Sequence, residues 1–151
     1  MKKNNKNNKG FSLVELIIVI AIMAILIGVL APQYLKFVER SRQSTDKQNV
    51  DEIIRAVEIY AADPEAATPF TLGKNATITL KKSASMAIAG DNSASVEAAL
   101  DAAGVDDVKL KSDKWDGVVI TINIDDAGNV TASVPAGMKD ILGDTAATPT
   151  P

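Results

Sequence analysis

Residues 11–31 of the chain read FSLVELIIVIAIMAILIGVLA, an apolar run interrupted only by Ser12, Glu15 and Gly28. At about 1.5 Å of rise per residue, a helix over this run is roughly 31 Å long, which matches the hydrocarbon thickness of a bilayer. The segment before it, MKKNNKNNKG, is polar and basic. Since positively charged flanks stay cytoplasmic, we expect a single membrane-spanning helix with a cytoplasmic amino terminus and everything after Ala31 outside.

Three interpretations of this segment compete. A cleaved secretory signal also combines a basic start with an apolar stretch, and residues 29–31 would pass as its cleavage site. However, Pro32 follows directly, and its ring fits the extended cleft of a protease poorly. The second interpretation is a plain uncleaved anchor. The third is an anchor whose polar residues have a specific task.

Glu15 favours the third interpretation. A charge near the centre of a membrane helix costs about 2.5–3.5 kcal/mol on insertion scales, and less near the interface. Anchoring does not require that cost, so an intramembrane carboxylate indicates a functional site that needs a cationic partner. The nearby candidates are the lysines of the leader or a new amine made by cutting the chain.

The motif KGFSLVE at residues 9–15, followed by the aliphatic run, resembles the amino terminus of the type IV pilins. The resemblance covers roughly residues 6–35. It implies that a membrane peptidase cuts between Gly10 and Phe11 and methylates the new amine of Phe11. It also implies that Glu15 sets assembly register by pairing with that amine, within one chain or between neighbouring chains. An unpaired charge is strongly disfavoured in a low dielectric, so the pairing is expected to matter.

The same resemblance implies the function. The chain would be stored in the cell membrane and then polymerise with further pilin subunits into an extracellular pilus, or fimbrium. The expected partners are a prepilin peptidase, an assembly ATPase and a membrane platform protein. Adhesion, twitching motility and biofilm formation are family-level expectations.

Two alternatives stay open. A pseudopilin of a type II secretion or DNA-uptake competence system has the same leader and helix. A membrane-anchored binding domain that never polymerises belongs to a different class of protein, and it would keep its leader.

Pro32 lacks an amide proton and clashes with the carbonyl of Gly28, so we expect a kink there, or a stretch that unwinds on assembly, as in similar pilins. Beyond it the helix becomes amphipathic, with an apolar stripe from Val50 to Ala61 that should pack on a sheet. The preceding mixed-charge segment is either a solvated face or a source of salt bridges between subunits; its charged residues are Lys36, Glu39, Arg40, Arg42, Asp46 and Lys47.

The remainder predicts an α+β pilin fold, in which the long helix packs on a small antiparallel sheet. We expect strands at 76–80 and 85–89, a helix capped by Ser93 or Ser95 that ends before Gly104, and a hairpin over 117–134. The expected division is a cleaved leader 1–10, a membrane and polymerisation half-helix 11–31, an amphipathic half-helix 32–62, a β-rich head 63–143 and a disordered tail 144–151.

Composition narrows the function classes. The chain has no Cys and no His, which removes disulfides, thiolate metal sites and the commonest general base. We therefore expect no enzyme, no cofactor and no metal.

The remaining candidate residues have structural interpretations. We expect the carboxylate pairs 106–107 and 125–126 to lie in turns, and Trp115 to be a core residue. Residues 11–151 carry 12 cations and 19 anions, a net charge of −7, so direct nucleic-acid binding is not expected. The resemblance to pilins also bears on the source, because many pilins of Gram-negative bacteria hold their carboxyl-terminal region with a disulfide. This chain has no Cys, which suggests a Gram-positive or anaerobic source, or a pseudopilin.

Overall fold

The computed structural model describes residues 10–105 and 107–141, with side chains through Met138. The leader before Gly10 and the predicted disordered tail 144–151 lie outside the described residues. The chain divides into two compact units after Glu39, an amino-terminal unit and a head unit that begins at Arg40. The regular elements are α1 (Leu13–Ala61), β1 (Asn75–Leu80), β2 (Ala87–Gly90), α2 (Ser93–Ala103), β3 (Val118–Ile124) and β4 (Val130–Ser133), with 3₁₀ turns at Asp113–Trp115 and Ala136–Ile141.

The part of α1 that belongs to the head unit has the predicted apolar stripe. Val50, Ile53 and Val57 are fully buried, and Ile54 is nearly so. Spacings of three and four place these side chains on one face of the helix. They join the inward side chains of the sheet in a single core cluster, so this half of α1 is part of the head's core.

The sheet is antiparallel, with strand order β2-β1-β3-β4. β1 pairs with β3 in a register that places Ile78 opposite Ile120 and Ala76 opposite Ile122. These four side chains are fully buried. The alternation of buried and exposed residues along β3 shows that one face meets the core, as the period of two predicts. The α+β class and the β3–β4 hairpin are confirmed.

The start of α2 differs from the prediction. Neither Ser93 nor Ser95 caps the helix: Asn92 occupies the N-cap position without a side-chain cap, and Ser95 Oγ instead donates to the carbonyl of Pro69 at 3.0 Å. The buried side chain of Asn92 accepts the N–H of Thr71 at 2.8 Å. Both side chains are used to fix the preceding loop, which local sequence patterns do not reveal. The predicted end is correct, with Gly104 in the left-handed region at φ 70°.

The edge strand β2 begins at Ala87, two residues later than the predicted 85–89, and ends at Gly90. Its limits follow its pairing with β1, which runs from Ala87 opposite Thr79 to Gly90 opposite Ala76. Trp115 is 7% exposed and belongs to the core cluster, which confirms its predicted role as a core anchor.

Candidate functional site

The predicted site residues at the amino terminus lie around the first turn of α1. The backbone N–H of Ser12 donates to Glu15 Oε2 at 2.9 Å, and the N–H of Val14 donates to Ser12 Oγ at 3.3 Å. This reciprocal arrangement is a capping box, which satisfies N–H groups that have no partner within the helix. Glu15 therefore has a structural role in a single chain, in addition to any role in assembly.

Sequence reasoning treated Glu15 as a carboxylate without any local partner. The signal for the capping box was present, since Ser12 and Glu15 stand three residues apart at the start of an apolar run. A carboxylate in the first turn is also favoured by the positive end of the helix dipole. Glu15 is exposed at this end of the helix.

The peptide bond between Gly10 and Phe11 precedes the helix and is accessible. Gly10 has no surrounding atoms within 4 Å of the position where a Cβ would stand. The side chain of Phe11 is 95% exposed. The geometry around Gly10 is thus compatible with entry of this segment into a protease cleft.

Gly28 and Pro32, the residues predicted to kink or melt the helix, both lie inside α1, which continues from Leu13 to Ala61. Pro32 cannot donate the hydrogen bond that the carbonyl of Gly28 would otherwise accept. Unwinding at this point stays a prediction.

The large apolar side chains between Phe11 and Leu30 are exposed by 50% to 95%. Among the residues that the structure describes, α1 is the one helix long and apolar enough to cross a membrane, by length and composition. Apolar surface of this extent is strongly disfavoured in water. It requires either lipid or other apolar helices around it.

Asp46 does not have either of the roles predicted for the mixed-charge segment. It is fully buried, and its Oδ1 and Oδ2 accept the backbone N–H groups of Lys111 at 2.7 Å and Ser112 at 2.8 Å. It is neither part of a solvated face nor available for a salt bridge between subunits. Asp46 stands four residues before Val50, on the same face of the helix as the buried stripe. This spacing indicates that Asp46 is buried.

The second carboxylate pair forms a turn, as predicted. Asp125 Oδ1 accepts the N–H groups of Ala127 and Asn129, and its Oδ2 accepts from Asn129 Nδ2 at 2.7 Å. The hydrogen bonds from the Asn129 side chain and backbone, followed by those from neighbouring backbone amides, hold the pKa of Asp125 below its ordinary value. In the described part of the chain, three or more metal-ligating side chains do not come together. Of the first pair, Asp106 lies outside the described residues.

An exposed ion pair fixes the loop before β3. Lys82 Nζ contacts the carboxylate of Asp113, and the Lys82 backbone N–H donates to Asp116 Oδ1 at 2.9 Å. The hydrogen bond and charge of Lys82 lower the pKa of Asp113. These contacts order the approach to β3 and do not form a reactive cleft.

Comparison with known proteins agrees with the amino-terminal geometry. Residues 5–31 match the family described as the prokaryotic N-terminal methylation motif. The chain is 36% identical over 66 residues to a type IV major pilin protein, PilA, of Myxococcus xanthus, covering 44% of this chain and 30% of the relative. It is 35% identical over 68 residues to prepilin peptidase-dependent protein A of Clostridium perfringens, covering 44% of this chain and 49% of the relative.

The chain thus spans less than half the length of these two relatives. No solved structure matches it. The motif lies on the segment that holds Gly10, Phe11 and the capping box, and both relatives are named as a pilin or as a product of prepilin processing. The resemblance stated from the sequence is therefore supported: the amino-terminal part of the chain is similar to that of a type IV pilin and of a prepilin peptidase-dependent protein.

Proposed function

We propose that this chain is the structural subunit of a type IV pilus, cut by a prepilin peptidase after Gly10 and methylated on the new amine of Phe11. The observation that carries the proposal is the exposed apolar surface of α1 within the segment that matches the methylation motif. That surface serves first as a membrane anchor and then as the packed core of a fibre. The processed chain begins at Phe11, and the head unit lies outside the membrane.

Processing changes the electrostatics of the first turn. Removal of the leader takes away four lysines, at positions 2, 3, 6 and 9, and a polar stretch that an apolar fibre core would not accommodate. It also creates an amine on Phe11, four residues before Glu15 and two residues before the start of α1. Pairing of this amine with the Glu15 carboxylate of a neighbouring chain sets the axial register of the subunits.

Assembly requires partners that act on the membrane-stored subunit. These are the prepilin peptidase, an assembly ATPase that works through a membrane platform protein, and further copies of the chain. The fibre then serves surface adhesion and motility. Adhesion and motility are family-level expectations for a pilus and do not rest on any contact within this chain.

Electron microscopy and mass spectrometry test the proposal together. We expect long surface filaments that contain this chain, and an amino-terminal peptide that begins at methylated Phe11. Processed protein confined to a short assembly within the cell envelope would instead show a pseudopilin. Membrane protein with an intact leader and no filaments, in cells with an active peptidase, would show an anchored binding domain.

A further inference from the structure

The head unit carries an apolar groove of about 250 Å³ between the last turns of α1 and the carboxyl-terminal half of α2. Ala56 and Ile59 contribute to the α1 wall, and Ala99 and Ala102 contribute to the α2 wall. The alanine side chains of the α2 wall are small, so the groove has room for a large side chain of another molecule. Ile59 is 73% exposed at this site. Exposed apolar surface in a concave site is typical of an interaction surface.

Carboxylates stand at both ends of the α1 wall. Asp63 lines the groove, and exposed Glu52 lies one helical turn before Ala56. Spacings of four and three place Glu52, Ala56 and Ile59 in one row along α1, and Asp63 lines the groove just after the helix ends at Ala61. Glu52 has no cationic partner within the described ranges 10–105 and 107–141. The groove therefore suits an occupant that is apolar in the middle and basic at its ends.

The chain itself contains a segment with this chemistry. Phe37 is 71% exposed on α1, and the adjoining Lys36 and Arg40 are exposed as well. Phe37 needs an apolar cover once the chain leaves the membrane. In two parallel copies, Lys36 precedes Arg40 in the same direction as Glu52 precedes Asp63, so the order of the cations along one copy matches the order of the carboxylates along the other.

We propose that the groove of one subunit receives Phe37 of a second copy, with Lys36 and Arg40 of that copy facing Glu52 and Asp63. This inference rests on the proposed polymerisation and identifies a head contact that accompanies it. The contact joins two different surfaces of identical chains, which is the kind of contact that can repeat along an open polymer. It supplies a second determinant of register, separate from Glu15.

Disulfide trapping tests the contact, because the natural chain has no Cys. Phe37→Cys and Ile59→Cys change exposed side chains, so both variants should keep the head fold. We expect oxidised filaments from cells that produce both variants to yield covalent dimers. Filaments from either variant alone should yield at least tenfold less dimer. A mixture of Phe37→Cys with Thr131→Cys, an exposed position on β4, is the matched control.

Charge reversal tests the same contact without new cysteines. Lys36→Glu should reduce filament yield at low salt at least tenfold, and the further change Glu52→Lys should restore it. Glu58→Lys adds the same charge at an exposed α1 position outside the groove wall, and it should not restore assembly. Wild-type filaments without trapping or rescue would overturn the inference while the proposed function stands. A wild-type chain that never forms filaments beside an active assembly machinery would overturn both.

Discussion

Asp46 and Ser112 lie 66 residues apart in the sequence, and Asp46 Oδ2 accepts the backbone N–H of Ser112 at 2.8 Å. The other carboxylate oxygen accepts the N–H of Lys111, so one buried side chain of α1 holds the loop that leads into β3. Ser112 Oγ in turn accepts the N–H of Lys114 at 3.2 Å. In a chain without cysteine, this carboxylate provides a non-covalent tie between α1 and the carboxyl-terminal part of the head.

Asp46→Ala should lower the free energy of unfolding by about 3 kcal/mol, because it leaves the buried N–H of Ser112 and the partly buried N–H of Lys111 without an acceptor. Asp46→Asn keeps the volume but offers one acceptor oxygen, so its loss should be smaller. Denaturant unfolding of the full chain in detergent micelles, followed by fluorescence of Trp115, the only tryptophan, measures both losses.

Asp51→Ala is the matched control for these variants. It removes an exposed ion pair with Arg55, one turn away on the same helix, and should cost about 0.5 kcal/mol or less. Equal losses for Asp46→Ala and Asp51→Ala would contradict the structural role assigned to Asp46.

The hydrogen bonds of Asp46 are an example of contacts that the sequence pattern did not predict. Periodicity identified the α1 stripe and the β3–β4 hairpin, because a period of 3.6 or 2 reports which face is buried. The same reasoning assigned Asp46 to a solvated or intersubunit segment, since its partners are backbone groups on a loop remote in sequence. The strand order and the true limits of β2 depend on pairing between strands, which a single strand's pattern does not specify.

At the amino-terminal site, too, the sequence predicted some features and missed one. The motif pointed to Gly10, Phe11 and Glu15 directly. The spacing of Ser12 and Glu15 also indicates a capping box, but the cost of a charge in the membrane favours a cationic partner for Glu15 in the sequence interpretation. A carboxylate in the first turn of a helix can accept a backbone N–H as well as pair with a cation, and Glu15 does the former.

Gly137 is predicted to tolerate no side chain. A Cβ at this position would stand 2.5 Å from Cη2 and 2.9 Å from Cζ3 of Trp115. Gly137→Ala should therefore destabilise the protein by about 1–3 kcal/mol through overpacking. Replacing Trp115 by Phe removes both clashing atoms, so Gly137→Ala should cost little in that background. Circular dichroism of the four chains measures the coupling, and an equal cost in both backgrounds would exclude the contact.

The turn at Asp125 should contribute stability that depends on pH. Because its pKa in the folded chain is depressed, the contribution is present above the ordinary value of 3.8 and is lost as the pH falls through the lower folded pKa. Asp125→Ala should thus lower the melting temperature at neutral pH and have little further effect in strong acid. Thermal unfolding of both chains across that range measures this difference, and a difference that does not change with pH would refute the assignment.

Glu15→Gln separates capping from charge. Glutamine can still accept the N–H of Ser12 but carries no charge, whereas Glu15→Val loses both properties. We expect both variants to be cleaved and inserted into the membrane, and both to lose filaments. Ser12→Ala weakens the cap and keeps the carboxylate, so it should still assemble. Electron microscopy of the three variants decides this, and normal filaments from Glu15→Gln would assign the residue to capping alone.

The proposed pairing of the new amine with Glu15 is measured most directly in filaments of the chain. Solid-state NMR on filaments labelled at the Phe11 nitrogen and the Glu15 side-chain carboxyl carbon reports the distance between them. An ion pair requires a nitrogen-to-oxygen separation of about 4 Å or less, so the account predicts strong dipolar coupling between these two atoms. Filaments in which every Phe11 nitrogen is remote from every Glu15 carboxylate, or in which the chain still begins at Met1, would contradict it.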